Sequence, residues 1–95
     1  MMCDFVRELG LTHAEFYMFL RPAIAPRTFT VENDRVHIED GERTLDIELG
    51  AQRYRSIGSL QLPYVEARFT FSGFSETERE RFMARFERYF QRGGG

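Results

Sequence analysis

The sequence predicts an α+β domain of two layers, with an antiparallel sheet of four to five strands and N- and C-terminal helices packed on one of its faces. Three observations carry this reading. Helix-start signatures stand near both ends of the chain, at Thr12 with Glu15 and at Ser75 with Glu78. Between them run segments that alternate polar and apolar residues, the period of a half-buried strand. The outward positions of those segments are polar throughout: Thr28, Thr30 and Glu32, then Arg35, His37 and Glu39, then Thr44, Asp46 and Glu48, and finally Glu66, Arg68 and Thr70. One sheet face is therefore in water, and both helices belong on the other.

Residues 4–9 read as one or two helical turns ending at Gly10. Thr12 and Glu15 then form a capping box, with Leu11 and Phe16 at the two positions of a hydrophobic staple. The helix that follows runs from His13 to about Leu20, and Pro22 and Pro26 end it, leaving 22–27 as a connector. Its surface is nearly apolar all round, with Phe16, Phe19 and Leu20 joined by Tyr17 and Met18.

Segments 28–32 and 35–39 are two strands joined by Asn33-Asp34, residues that tolerate the positive φ of a primed hairpin turn. Pairing Glu32 with Arg35 sets Val31 opposite Val36 and Phe29 opposite Ile38 on one face. A third strand, 44–49, turns Leu45, Ile47 and Leu49 inward, and a loop over 40–43 keeps Ile38 opposite Leu45. Residues 50–59 have no clean period and read as a wide loop with a short edge strand over 54–57. The last strand is long. Its apolar residues switch from even positions (Leu60, Leu62) to odd ones (Val65, Ala67, Phe69, Phe71), which calls for a bulge or bend at Pro63-Tyr64 if one face is to stay inward.

The closing helix starts at the Ser75–Glu78 box, carries acids in its first turns and arginines near its end, and has Gly93 as its cap. Wound at about 100° per residue, Phe82, Met83, Phe86, Tyr89 and Phe90 gather on one face. Arg81, Arg85, Arg88 and Arg92 form a stripe along its edge.

Ninety-five residues make one domain, 1–95, with 1–11 and 93–95 as its flexible ends. The chain is 42% hydrophobic and carries a net charge of −2, so any nucleic-acid binding must rest on local patches. Its thirteen basic residues are all arginine. One cysteine, Cys3, allows no internal disulfide and fits a reducing compartment. No apolar run reaches the ~18 residues of a membrane span, and the expected location is cytoplasmic.

No constellation for catalysis, metal or cofactor stands out, and the chain reads as a non-enzyme without cofactor. Cys3, His13 and His37 lack ligand spacing, and Glu39, Asp46 and Glu48 cluster on a face open to water. The run VRELGLTHAEF has a helix-turn-helix flavour, but the chain then leaves for strands. Arg53, Tyr54 and Arg55 interleave phosphate-contacting and base-stacking residues. Together with Arg81, Arg85, Arg88 and Arg92 they are the candidate partner- or anion-binding residues. The tail Arg92-Gly93-Gly94-Gly95 resembles the ends of ubiquitin-like sulfur-carrier proteins, which implies an activated terminal carboxylate. In those proteins the tail leaves a strand of a β-grasp fold, whereas here it leaves a helix. The leading expectation is a small interaction module, a homodimer through its aromatic helices and Arg stripe, or one that binds another protein. The alternatives are a binder of small apolar ligands between helices and sheet, an RNA- or anion-binding protein, and a Gly-Gly-tailed carrier.

Overall fold

The computed structural model describes residues 3–94, with side chains described over 3–90. Six antiparallel strands and two helices follow in the order β1 (Phe5–Leu9), α1 (His13–Ile24), β2 (Phe29–Glu32), β3 (Arg35–Asp40), β4 (Arg43–Leu49), β5 (Arg53–Ile57), β6 (Leu60–Ser72), α2 (Glu76–Gly94). The sheet runs β1-β6-β4-β3-β2, with β5 also paired to β6. The predicted α+β architecture is present, with one or two more strands than expected.

Both capping boxes form. Glu15 N–H donates to Thr12 Oγ1 while Thr12 N–H donates to Glu15 Oε1, and Ser75 and Glu78 make the same reciprocal pair. Four orphan donors at the helix starts are thereby satisfied. α1 runs on to Ile24, past the expected stop, and contains Pro22. Ala23 and Ile24 are buried, so packing carries the helix through the proline. α2 likewise runs through Gly94 rather than ending at Gly93.

The β2–β3 hairpin has the register read from its alternation, with Glu32 opposite Arg35, Val31 opposite Val36 and Phe29 opposite Ile38. Asn33 and Asp34 take φ of 51° and 60°, as a two-residue primed turn requires. Ile38 stands opposite Leu45, and the ladder extends to Asp40 opposite Arg43, so the connecting turn is Gly41-Glu42 rather than four residues.

Residues 5–9 correct the reading of 4–9 as helical turns. They form an edge strand along β6, with Phe5 opposite Phe69 and Leu9 opposite Val65. Alternation was masked because Arg7 stands on the helix-facing side between Phe5 and Leu9. There it forms an ion pair with Glu87 of α2.

The segment 50–59 is more ordered than a wide loop. β5 pairs with β6 from Arg53 opposite Tyr64 to Ile57 opposite Leu60, closed by a turn with Gly58 at φ 60°. β4 pairs with the same edge of β6, where Leu49 stands opposite Ala67. From Leu49 to Arg53 is four steps, while from Ala67 to Tyr64 is three. One extra residue therefore bulges in the β4–β5 strand, at residues 50–52. The irregularity expected at Pro63-Tyr64 lies on the opposite strand, and β6 is unbroken from Leu60 to Ser72. Leu60 and Leu62 do not turn inward. They stay on the side of Glu66 and Arg68, away from the helices.

The core lies between the helices and the inner sheet face. Phe69 and Phe86 meet edge-on at 4.9 Å between ring centroids, Phe86 and Phe90 stack at 4.0 Å, and Phe16 lies 5.3 Å from Phe90. Phe16, Phe69 and Phe86 are fully buried. Phe69→Ala should destabilise the fold by about 3–5 kcal/mol, the usual cost of deleting a buried aromatic. Chemical denaturation measures it, and a loss under about 1 kcal/mol would contradict this packing.

Candidate functional site

Three surfaces collect the polar and apolar groups left outside the core. The first is the helix edge expected to present an arginine stripe. Arg81 and Arg88 are exposed there, and the Arg92 side chain lies outside those described. Arg85 does something else. Its Nε donates to the Ala23 carbonyl at 3.0 Å and its Nη2 to the Ala25 carbonyl at 3.3 Å. These are acceptors at the C-terminal end of α1, where carbonyls lack helical partners and the helix dipole favours a cation. Arg85 thus ties α2 to the end of α1. Beside it, Arg27, Arg43, Arg81 and Arg85 line a concavity of about 250 Å³ with Glu78. Arg27 and Arg43 both bind Asp40, and Arg43 also pairs with Glu78. The Arg27 hydrogen bond, ahead of the nearby positive charges, lowers the Asp40 pKa below the usual carboxylate range. Arg81 makes no ion pair among the described residues.

The second surface is the outer sheet face, which holds a shallow hollow. Thr30, Glu32, Asn33, Arg35, His37, Asp46 and Glu48 line a hollow of about 590 Å³. Cys3, Arg68 and Thr70 line its continuation toward β1. Strand alternation places these side chains on one face. Arg35 donates to Glu48 at 2.7 Å, and His37 bridges Asp46 (2.8 Å from Nδ1) and Glu39 (3.2 Å from Nε2). The Asp46 hydrogen bond, followed by that of Glu39, raises the His37 pKa above its ordinary value. Glu48 is lowered by its bond from Arg35. Among the described residues no group of three or more His, Cys, Asp or Glu could hold a metal ion.

The third surface was only partly legible in the sequence. β5 and the first five residues of β6 form a two-stranded arm that projects from the core and helps stretch the molecule to 47 × 26 × 22 Å. All of β5 is exposed. Directly opposed residues share a face, so Arg53, Arg55, Ile57, Leu60, Leu62 and Tyr64 lie together, and Tyr54 lies on the other side with Pro63. Ile57 is 56% exposed, Leu60 61%, Leu62 43% and Tyr54 57%. Arg55 lies over the Tyr64 ring, 4.4 Å from its centroid, and binds Glu8 at 2.8 Å. At the base, the Gln52 carboxamide accepts from His13 N–H and donates to the carbonyls of Leu11 and Tyr64, which fixes the arm to the start of α1.

The structure thus brings Arg53 and Arg55 together on the arm and separates them from the α2 arginines. Ile57, Leu60 and Leu62 were missed as surface residues. Their signal was the change of phase before Val65. Among the described residues no helix is long and apolar enough to cross a membrane. Comparison with protein-family models, with curated proteins and with solved structures finds no match.

Two outcomes test these placements. Arg85→Glu should destabilise the fold by about 1.5–3 kcal/mol, the range for hydrogen bonds from a charged donor, whereas Arg88→Glu should stay within about 0.5 kcal/mol. Denaturation of the two single variants compares them, and equal effects would remove the special role of Arg85. His37 should titrate above about 6.5, and Asp46→Asn should bring it down. Because its folded pKa is raised, the stability it contributes is fully present below about pH 6.5 and is lost as pH rises through the folded value. A proton NMR titration of the ring reads this, and an unshifted wild-type value would mean that the two carboxylates do not hold it.

Proposed function

We propose that the protein is a small non-catalytic interaction module whose contact surface is the β5–β6 arm. One observation supports this above others. Ile57, Leu60 and Leu62 hold aliphatic side chains in water on a ribbon that adds nothing to the core. Such exposure costs free energy, at about 25 cal/mol per Å² of apolar surface, and apolar patches rimmed by charge mark contact sites. Arg53 and Arg55 supply that rim. The helices have less to offer a partner than their composition suggested, since Phe16, Phe82, Phe86 and Phe90 are buried in the core. The seam that an apolar ligand would need is filled by those same rings. A polyanion would meet the carboxylates of Glu8 and Glu66 beside the arm arginines, which weighs against RNA. The lone thiol fits work in a reducing compartment, the cytoplasm.

The test is Leu60→Ser combined with Leu62→Ser. Both side chains are exposed, so the melting temperature should hardly move. Retention of partner protein by the immobilised chain should fall sharply. A folded double variant that keeps every partner of the wild type would place the contact surface elsewhere.

A further inference from the structure

Building on the arm as the contact surface, we infer that its occupant is a second copy of this chain, and that two copies exchange arms, each laying its arm on the outer sheet face of the other. The direction of the side chains is the first ground. β6 is unbroken, so Leu60, Leu62 and Tyr64 project to the same side as Glu66, Arg68 and Thr70. The apolar side of the arm and the hollow of the sheet therefore face one way. A two-fold axis lying in the plane of contact, across the arms, sets each arm over the sheet face of the other copy. The contact is isologous, so it closes at two copies.

Charge is the second ground. Residues 53–64 carry Arg53 and Arg55 and no acid. The outer sheet face carries Glu8, Glu32, Glu39, Asp46, Glu48 and Glu66, against Arg35, Arg68 and His37. A basic, apolar projection and a sheet face with an excess of acids on the same molecule complement one another between copies. Within one copy the arm reaches that face only through Arg55 at Glu8, and Arg53 makes no ion pair among the described residues. The hollow of about 590 Å³ has room for aliphatic tips. The Thr30 methyl and the stems of Arg35 and Glu48 offer apolar contact there.

Area is the third. Two arms packed only on each other would share a footprint of about 10 Å by 17 Å, five residues long and two strands wide. That falls well short of the roughly 800 Å² per partner of a standard interface. In the exchange each copy contributes both an arm and a face, so every contact is made twice, and the sheet between them is covered as well.

Charge reversal and mixing test the exchange. The arm variant is Arg53→Glu with Arg55→Glu, and the face variant is Glu39→Arg with Glu48→Arg; all four side chains are exposed. Wild type should sediment as a dimer at micromolar concentration, less so at high salt. Each variant alone should dissociate, its dissociation constant raised tenfold or more. An equimolar mixture should form a dimer, because the acidic arm meets the basic face and the wild-type arm meets the wild-type face. A face variant that stays dimeric means that arms pair only with each other, and a mixture that stays monomeric means that arm and face do not meet; either overturns the exchange. Should a charge variant fail to fold, Leu60→Asp replaces it and must still give monomer. A wild type that is monomeric throughout also overturns the exchange, yet leaves the arm as a contact surface if the Leu60→Ser, Leu62→Ser variant still loses a different partner. Salt-sensitive binding of a polyanion by the arm, without self-association, would assign it to nucleic acid instead.

Discussion

Backbone groups on both edges of β6 need partners, and only part of the strand has them on both sides. β4 and β5 together follow one edge along its length, while β1 covers the other edge only at residues 65–69. The Gly50 N–H donates to Glu66 O and the Asp4 N–H to Phe69 O, so even residues of β6 point to the β4 edge and odd ones to the β1 edge. Pro63 is odd. Its missing N–H falls on the stretch that β1 leaves open, one of the few sheet positions where proline costs no hydrogen bond. The central segment of β6, with Val65, Ala67, Phe69 and Phe71, is roofed by the two helices. The remainder outruns the core, and the arm is the result.

The arginines divide by the company they keep. Arg7 and Arg43 pair with acids of α2, and Arg85 with backbone carbonyls of α1, so three of them fasten helices to the sheet or to each other. Arg53 and Arg55 stand on the arm with only Glu8 to balance them. An all-arginine complement suits the first group, because a planar guanidinium can hold two acceptors at once where an ammonium acts as a point charge. The stripe that looked uniform on α2 is thus not one surface in energetic terms.

Much of the fold could be read from local rules. The two capping boxes and the β2–β3 register each depend on residues within a few positions of one another, and all three are present. What failed to read depends on distant partners. β1 looked unlike a strand because Arg7 faces the helices, and the acid that makes this tolerable is Glu87, at the other end of the chain. α1 passed its proline because Ala23 and Ile24 are buried in the core. The arm was misread for a different reason. Alternation tells which residues share a face, but not which face is dry, and Leu60 and Leu62 belong to the wet one. Arg53, Tyr54 and Arg55 could be named as surface residues because their polarity is local. The neighbours that give them an apolar floor could not.

The order in which the chain leaves the ribosome follows from where β1 and α1 find their partners. Both precede their partners in the chain, since β1 pairs with β6 and α1 packs on α2. The β2-β3-β4 meander has near neighbours in sequence and can close as soon as it is out. The first two elements must wait with Phe16, Leu20 and Ile24 uncovered until β6 and α2 have been made. Contacts of such long sequence separation slow folding and prolong the exposure of apolar surface. The core of this domain cannot close before α2 exists, and a chain truncated before β6 would yield a meander with two orphaned segments rather than a smaller domain.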